Sequence, residues 1–342
     1  MACGVFLSSN TWQMKVVYYY RSRGVSFSIE RVFAQIRKFI PPDISQDEFY
    51  CALNNYKNPI TYIKNALDAR RVEGDVNHIT GVVNYLALGL KPERTLITVH
   101  DLDFLNRRRG LNKAVYKRLF FDAPLRRVRK VTAISQFTKR QIVENIGIPA
   151  EKIVVIGDPA PDSFKPVPKE FDADRPVVLA FCHLHTKNFE RAAAALAGLK
   201  CRLRAIGRLT DSARAAIERA GVDYSNAYNL TDSEILEEYA KCDMLLFPST
   251  YEGFGVPVLE AQLTGRPVVT THEASLEDVA RNSARIVDAF DVASIRAGVE
   301  DVLGSADLRA ELVSKGFENA KRFEPGNIAR QYCEVYREIF NG

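Results

Sequence analysis

Residues 247–270, FPSTYEGFGVPVLEAQLTGRPVVT, constrain the fold most because they hold a loop and a helix between two apolar segments. The run Met244–Phe247 predicts a short buried strand, and a polar loop with two glycines follows it. The helix predicted over 257–263 carries proline in its first turn, where the missing N–H costs no hydrogen bond. A glycine and a proline end this helix before the next strand begins at residue 268. The stretch therefore predicts one corner of a parallel α/β sheet.

Two glutamates, Glu252 on the loop and Glu260 in the early helix, bracket this corner. Both side chains can point into one crevice at the carboxyl end of a strand, where open α/β sheets bind ligands. Two carboxylates beside the free N–H donors of a helix start suit a hydroxyl-rich ligand such as a sugar or a ribose. An ordinary βαβ corner with surface acids would have the same composition, so both interpretations stay open on these residues alone.

The wider pattern resembles the Glu-x7-Glu signature of the retaining GT-B-fold glycosyltransferases, the group 1 (family 4-like) sugar transferases. The resemblance extends from residue 14 to the end and is firmest from about residue 130 onward. It implies an α/β protein with two Rossmann-like domains facing each other across a cleft, and a C-terminal helix that crosses back to the first domain. The residues that carry the signature are Pro248, Ser249, Glu252, Gly253, Phe254, Gly255, Glu260, Gly265, Pro267 and Val268.

A chain of 342 residues is too long for one core and suits two domains. In the first half, strands are predicted at 15–20, 75–80, 95–99, 128–134 and 152–156, with helical stretches before residue 75 and between the strands at 75–80 and 95–99. The expected organisation is a loose extension over 1–13, an acceptor domain over 14–165, a linker over 166–176, a nucleotide-sugar domain over 177–325 and a crossover helix over 326–342.

The resemblance assigns roles around a nucleotide-sugar donor. It implies that Glu260 accepts hydrogen bonds from the ribose, that Glu252 holds the sugar, and that Lys187 neutralises the diphosphate. The family usually has an arginine near Lys187, but this chain has histidine or leucine there, with His183 and His185 as partial substitutes. A plain exposed lysine on a loop is the alternative. The remaining expected donor-binding residues are Gly253, Phe254, Gly255, Val256, Asn229, Leu230 and Gly24.

His100 directly follows a predicted strand. The resemblance implies that His100, like Glu252, is a catalytic residue, and that it lies near the donor sugar. A satisfied histidine at a strand end is the alternative. His78 is expected to be structural or to lie on the acceptor side. The run Asp101-Leu-Asp103 matches the D-x-D motif of the other glycosyltransferase fold, GT-A, and we interpret it as a chance match.

The sequence thus predicts a metal-independent retaining glycosyltransferase that uses a nucleotide-sugar donor, a saccharide or lipid-linked acceptor and no cofactor. Cell-surface polysaccharide synthesis (lipopolysaccharide, O-antigen or capsule) is the expected setting. A GT-B-fold epimerase or hydrolase and a catalytically inactive nucleotide-sugar-binding scaffold are the alternatives. A GT-A enzyme acting through Asp101 and Asp103 would instead require a divalent metal.

The net charge of +5 conceals an asymmetry. Residues 1–165 contain 26 Lys/Arg against 15 Asp/Glu, whereas the remainder contains 21 against 27. The basic clusters lie at Arg107–Arg109 and Arg126–Lys130. A solvated basic face explains them, and so does attraction to anionic lipid headgroups or a phosphate-bearing acceptor. Nucleic acid is disfavoured because no binding motif accompanies the charge.

We expect a cytoplasmic protein, either free or peripheral at the inner face of the cytoplasmic membrane. The first residues lack a basic n-region and a sustained apolar core, so no signal peptide is predicted. The six cysteines form no C-x-x-C pair, and Cys182, Cys201 and Cys242 are predicted to be reduced thiols in or beside buried segments.

Overall fold

The computed structural model describes residues 14–24, 28–54, 58–103 and 109–342. The expected extension over 1–13 and the basic residues Arg107 and Arg108 lie outside this part of the chain. The chain forms two compact units. The first contains the described residues up to Ile134, together with Thr138–Ile156 and Pro325–Gly342, and the second contains Ser135–Phe137 and Gly157–Glu324.

The first unit is built on a parallel sheet of six strands in the order β2-β1-β3-β4-β5-β6. Strand β1 reads MKVVYYY and is almost wholly buried, as expected for a strand covered on both faces. The strands are β1 Met14–Tyr20, β2 Ile44–Tyr50, β3 Val76–Ile79, β4 Thr95–Val99, β5 Lys130–Ala133 and β6 Ile153–Val155.

Helices cover this sheet. The α-helices are α1 Ser28–Arg37, α2 Pro59–Arg70, α3 Gly110–Lys117, α4 Ala123–Arg127 and α5 Gln136–Ile146. Short 3₁₀ turns lie at Asn84–Leu88, Pro92–Arg94 and Ala150–Lys152, and a π-helical turn at Arg118–Asp122 joins α3 to α4.

The predicted helical stretch before residue 75 is confirmed by α2, but Ile44–Tyr50, for which the sequence indicated no strand, forms the edge strand β2. This strand is half-exposed, with polar and acidic residues in its middle, because only one of its edges pairs with the sheet. Its carboxylates pair with basic side chains of neighbouring elements: Asp47 with Lys15 on β1, and Glu48 with Arg37 on α1. A polar edge strand lacks the apolar run by which buried strands are identified.

The second unit also has a parallel six-stranded sheet, in the order β12-β11-β10-β7-β8-β9. The chain runs from β7 outward to β9 and then returns to the opposite side of β7 with β10. The strands are β7 Val177–Phe181, β8 Arg202–Ile206, β9 Asp223–Ala227, β10 Met244–Phe247, β11 Val268–Thr271 and β12 Arg285–Val287.

The helices of the second unit start at side-chain caps in several cases. Thr231 and Glu234 form the predicted capping box, which is confirmed, and Thr210 caps α7 through the N–H of Ala213. The helices are α6 Phe189–Ala195, α7 Asp211–Ala220, α8 Asp232–Lys241, α9 Val256–Leu263, α10 Leu276–Ala280, α11 Val292–Gly304 and α12 Ala306–Lys321.

The last helix, α13 Pro325–Asn341, belongs to the first unit and packs against α1 and β3. The hydroxyl of Tyr336 lies 2.7 Å from Nδ1 of His78, and Thr98 Oγ1 lies 2.7 Å from its Nε2. His78 is fully buried, and burial lowers its pKa to about 3. The imidazole is therefore neutral, and its position is structural.

Hydrogen bonds attach the segment predicted as a linker, residues 166–176, to the second unit. Buried Asp243 accepts hydrogen bonds from the N–H groups of Asp172 and Val177, and Arg266 donates to the carbonyl of Val167. These bonds explain why residues 166–176 cluster with the strands that follow them rather than standing apart.

The predicted burial of cysteines 182, 201 and 242 is confirmed, and these thiols are free. Burial raises their pKa values above the ordinary thiol range, so they stay protonated. Within the described ranges, none of the helices is both long and apolar enough to cross a bilayer.

Candidate functional site

An ion pair occupies the point where the strand order of the second sheet reverses. Nζ of Lys187 lies 2.7 Å from Oε1 of Glu252. Lys187 follows β7 and Glu252 follows β10, and these two strands are hydrogen-bonded neighbours. Their chain connections leave in opposite directions, so this is the topological switch point at which open α/β sheets bind ligands.

The loops after β7 and β10 are tied together by short hydrogen bonds. The amide of Asn188 donates to the carbonyls of Pro248 at 2.9 Å and Ala289 at 2.6 Å. Asn188 holds a left-handed backbone conformation with φ 57°, which asparagine tolerates better than most residues. The hydroxyl of Ser249 contacts both the carbonyl of Thr186, at 2.7 Å, and Oε1 of Glu252, at 2.6 Å. Lys187 and Glu252 are therefore held in place from both loops.

The ion pair is nearly enclosed. The side chains of Lys187 and Glu252 are only 8% and 14% exposed, and the ammonium also lies 4.7 Å from the centre of the Phe247 ring. His183, on the same loop as Lys187, has its pKa lowered by burial and then by the positive charge of Lys187, with Glu252 opposing. A buried lysine that pairs with one carboxylate can bind an anionic ligand in place of that carboxylate.

Glu260 lies in the second turn of α9, and its Oε2 accepts a hydrogen bond from the hydroxyl of Tyr239 at 2.8 Å. The pKa of Glu260 is raised to about 7, mainly by burial and to a smaller extent by the nearby charge of Asp232. The hydrogen bond from Tyr239 and the charge of Lys187 oppose this rise. Near neutral pH the carboxyl group is therefore divided between its neutral and ionised forms.

The turn before α9 has the tight geometry that its glycines predicted. Gly255 has φ 112°, and a Cβ at this position would lie 2.8 Å from Cδ2 of Leu276. The hydroxyl of buried Ser275 lies within hydrogen-bonding distance of the carbonyl oxygens of Glu252, at 2.9 Å, and Phe254, at 2.7 Å. The chain is thus bent at Gly253–Gly255 so that α9 begins at Val256, where the first N–H groups have no intrahelical acceptor.

The other expected donor residues of the second unit lie farther along the sheet. Asn229 and Leu230 follow the edge strand β9, and two strands separate β9 from β10. Asn229 is exposed, with φ 55°. His183 and His185, the two histidines near the expected arginine position, are both solvent-accessible residues, although neighbouring atoms desolvate the His183 ring enough to lower its pKa.

Two expected site residues belong to the first unit. His100 directly follows β4, and its Nε2 lies 2.8 Å from the carbonyl oxygen of Thr80, which follows β3. The sheet of this unit reverses its order between β1 and β3, so His100 lies one strand beyond that switch point. Gly24, in the loop after β1, has φ 84° and open space around the Cβ position. In the D-x-D run, the N–H of Asp103 donates to Oδ1 of Asp101 at 2.9 Å, which is a local turn.

Sequence reasoning did not single out Tyr239, Ser249 or Asn188 as site-supporting side chains. Ser249 stands in the signature, three residues before Glu252, but its double hydrogen bond depends on the loop after β7. Tyr239 lies in the last turn of α8, and its spacing is that of an ordinary core aromatic residue. Only the packing of α8 against α9 brings its hydroxyl to Glu260.

Both halves of the chain match known sequence families. Residues 164–319 match "Glycosyl transferases group 1", and residues 16–160 match "Glycosyltransferase Family 4". This chain belongs to the group 1 glycosyltransferases. The predicted family is confirmed, and the group 1 match contains Lys187, Glu252 and Glu260.

Named relatives of this chain are larger proteins. It is 33% identical over 106 residues to the O-antigen chain mannosyltransferase B of Escherichia coli, covering 31% of this chain and 28% of that protein. It is 23% identical over 294 residues to the serotype-specific mannosyltransferase WbdA of Escherichia coli, covering 72% of this chain and 34% of that protein. The chain thus spans about a third of the length of the curated relatives that it matches.

The fold of this chain matches a solved structure over almost its whole length. Anabaena Alr3699/HepE, crystallised in complex with UDP and glucose, superimposes with a TM-score of 0.74 at 17% identity, covering 95% of this chain and all of that one. The predicted GT-B fold is confirmed. The GT-A interpretation of Asp101 and Asp103 is accordingly wrong as a fold assignment.

Proposed function

We propose that this protein transfers a sugar from a nucleotide-diphosphate sugar to a saccharide or lipid-linked acceptor, with retention of the anomeric configuration and without a metal ion. The observation that carries the proposal is the buried Lys187–Glu252 ion pair at the switch point of the second sheet, with Glu260 on the adjoining helix. One cation and two carboxylates supply the groups that a diphosphate, a sugar and a ribose need.

On donor binding, the diphosphate would replace Glu252 as the partner of Lys187. The ammonium now contacts Oε1 of Glu252 at 2.7 Å, and a donor diphosphate would compete for it. Once Lys187 turns to the phosphate, the carboxylate of Glu252 keeps its bond from Ser249 and becomes available to accept from sugar hydroxyls. The N–H groups at Phe254–Val256 would hold the same sugar.

Glu260 would bind the ribose. In its ionised form the carboxylate accepts hydrogen bonds from two adjacent hydroxyls, while Tyr239 continues to donate to Oε2. Bound hydroxyls favour the ionised form, so donor binding lowers the pKa of Glu260 from about 7. Asn229 and Leu230 are the proposed contacts to the base, and Gly24 in the first unit is proposed to approach the phosphates.

In the transfer step, the bond from the anomeric carbon to the diphosphate oxygen breaks. The acceptor oxygen bonds to that carbon from the same face, and its proton passes to the leaving diphosphate. Lys187 stabilises the charge that grows on the leaving group, which is the role a divalent ion has in other enzymes. Glu252 then orients the sugar without forming a covalent bond, and His100 is proposed as a second catalytic residue near the donor sugar.

The proposed setting is the synthesis of cell-surface polysaccharide such as lipopolysaccharide, O-antigen or capsule. Support comes from the relatives, since O-antigen chain mannosyltransferase B and WbdA are both named as mannosyltransferases. The excess of basic residues before residue 166 suits a lipid-linked acceptor at the inner face of the cytoplasmic membrane.

A thermal-unfolding screen of UDP-, GDP-, ADP-, CMP- and dTDP-sugars, each with and without EDTA, tests this function. We expect one nucleotide to raise the melting temperature equally in both conditions, because a ligand at a hundred times its Kd stabilises by about 2.7 kcal/mol. The shift should disappear in Glu260→Ala and persist in the control Glu237→Ala, which removes an exposed carboxylate of α8. No shift with any nucleotide, or a shift only without EDTA, would contradict the proposal.

A second candidate, a nucleotide-sugar-binding protein without transferase activity, is favoured by one observation. The loop that contains Lys187 has His183, Leu184 and His185 where an arginine was expected, so fewer cations face the diphosphate. The two candidates differ in turnover. Radiolabelled sugar should pass from the stabilising donor to membrane-extracted glycolipid if the first is correct. Donor binding without transfer, or release of free sugar alone, would support a scaffold or a hydrolase.

A further inference from the structure

Helix α2 of the first unit buries mostly polar residues and exposes aliphatic ones, which is the reverse of an ordinary surface helix. Its buried positions are Thr61, Asn65 and Ala69, and Asn65 is fastened there by hydrogen bonds to Leu53 and Tyr85. The aliphatic residues Ile60, Ile63 and Leu67 instead face solvent, with 64%, 61% and 56% of their surface exposed. A surface helix normally turns its apolar stripe toward the core.

The neighbouring segment repeats this arrangement. Leu111 and Val115 of α3 and Leu119 of the π-helical turn recur every four residues and are 79%, 49% and 42% exposed. These residues and the three of α2 are six of the fifteen large apolar side chains that are exposed in the described part of the chain. We call these six residues the α2–α3 face.

An aromatic contact connects the two halves of the α2–α3 face. The ring of Tyr62 on α2 meets Phe120 edge-on at 5.7 Å between centroids, and Phe120 stacks on Tyr116 of α3 at 4.3 Å. Ile63 and Leu119 are the chain neighbours of Tyr62 and Phe120. The ring contact therefore brings the two segments that carry the aliphatic stripes together within the first unit.

Basic side chains surround the α2–α3 face. The segments 59–71 and 109–122 contain seven Lys/Arg and two Asp/Glu. Both acids are engaged, Asp68 with Arg71 and Asp122 with Lys117. The exposed cations are Lys64, Arg70, Arg71, Arg109 and Arg118.

We propose that the α2–α3 face docks this protein on the surface of an anionic lipid bilayer. Exposed aliphatic stripes bordered by cations are the pattern of interfacial helices, whose apolar side chains enter the headgroup boundary while Lys and Arg contact anionic lipids. The composition disfavours a protein partner, because the energetic centres of protein interfaces are rich in Trp and Tyr, and the tyrosines here are half-buried against the core. The inference places the membrane contact of the proposed function on named helices, and it rests on that function only for its biological setting.

Vesicle flotation of the full chain, without nucleotide, tests the proposal. The protein should float with vesicles of equal phosphatidylcholine and phosphatidylglycerol at low salt, and remain unbound with phosphatidylcholine alone. The double variants Ile63→Ser/Leu67→Ser and Leu111→Ser/Val115→Ser should each reduce the partition coefficient at least tenfold. Lys64→Gln/Arg118→Gln should reduce it about 25-fold, since each cation near the surface contributes about fivefold.

Matched controls lie in the second unit. Phe290→Ser removes an apolar side chain that is 58% exposed, and Lys200→Gln removes an exposed cation. Both should float like the wild type, and all variants should keep the nucleotide-dependent melting shift. Loss of binding with an intact shift therefore separates a failure of the docking face from a failure of the donor site.

Three results would overturn the proposal. The wild type could remain unbound on anionic vesicles, or the aliphatic variants could float as well as the wild type. Sedimentation equilibrium could also reveal a dimer that Ile63→Ser/Leu67→Ser dissociates, which would assign the α2–α3 face to a second copy of this chain.

Discussion

The hydroxyl of Tyr239 lies between two acceptors, Oε2 of Glu260 at 2.8 Å and the carbonyl oxygen of Pro257 at 3.2 Å. The tyrosine is completely buried at the end of α8, and both acceptors belong to α9. A hydroxyl has one proton to donate, so its orientation depends on whether Glu260 is ionised. The proton points to the carboxylate when Glu260 is ionised and can turn to Pro257 when Glu260 is protonated.

Replacing Tyr239 with phenylalanine should weaken donor binding near neutral pH. The hydrogen bond from Tyr239 lowers the pKa of Glu260, so its loss raises that pKa and leaves less ionised carboxylate for the ribose. Titration of the stabilising nucleotide from about pH 6 to pH 9 should show the affinity of the variant recovering at higher pH than that of the wild type. Tyr224→Phe alters an exposed tyrosine and is the control. Parallel pH profiles would contradict this role.

Glu260→Gln should stabilise the free protein at alkaline pH. The pKa of Glu260 rises from its ordinary 4.5 to about 7 on folding, so the folded state binds more protons between these values and loses stability as the pH rises through them. The amide does not ionise and avoids this loss, which amounts to about 3 kcal/mol at most.

Urea unfolding at about pH 5 and about pH 8 measures the effect of Glu260→Gln. The free energy of unfolding of the variant should exceed that of the wild type by a small amount at the lower pH and by much more at the higher pH. Glu237→Gln removes an exposed carboxylate that pairs with Lys241 and should shift neither value appreciably. An equal difference at both pH values would mean that Glu260 is ionised throughout this range.

Single replacements in the Lys187–Glu252 pair should destabilise the protein more than the double replacement. Lys187→Met leaves the enclosed Glu252 without its cation, and Glu252→Gln leaves the lysine without its anion, each at about 3 kcal/mol. Together they remove both charges, so the double variant should recover part of the loss.

A double-mutant cycle on the free energy of unfolding gives the coupling between Lys187 and Glu252, which we expect to be about 1–3 kcal/mol. All three variants should lose the donor-dependent melting shift. The exposed pair Lys315–Glu311 on α12 is the control and should show a coupling below about 0.5 kcal/mol. Additive losses at Lys187 and Glu252 would show that their contact does not stabilise the fold.

Gly255→Ala should destabilise the second unit by about 2 kcal/mol or more, because the residue has φ 112° and its Cβ would overlap Leu276. Gly304→Ala is the matched control, since nothing lies within 4 Å of its Cβ position at the end of α11. That substitution should be neutral or slightly stabilising. Thermal unfolding compares the two, and similar melting temperatures would contradict the predicted strain at Gly255.

Patterns of neighbouring residues predicted much of the fold. The buried strands are short apolar runs, the capping box is a four-residue motif, and the corner from β10 to β11 is contained in 24 residues. Each of these can be identified locally because the physical requirement acts within a few residues. Strand β2 was missed because edge strands need no continuous apolar run, and its polar residues are satisfied by Lys15 and Arg37 from other elements.

The sequence by itself determined the family, the two-sheet α/β class and the positions of Glu252, Glu260 and Lys187 in loops and helix starts. Tertiary structure decided which of them meet. Lys187 and Glu252 are 65 positions apart, and they pair only because β7 and β10 are neighbours at the reversal of the strand order. The sequence likewise did not show that α2 exposes its aliphatic residues, because an apolar side chain has the same spacing whether it faces the core or the solvent. Which face is buried depends on the elements packed against the helix, and these come from distant parts of the chain.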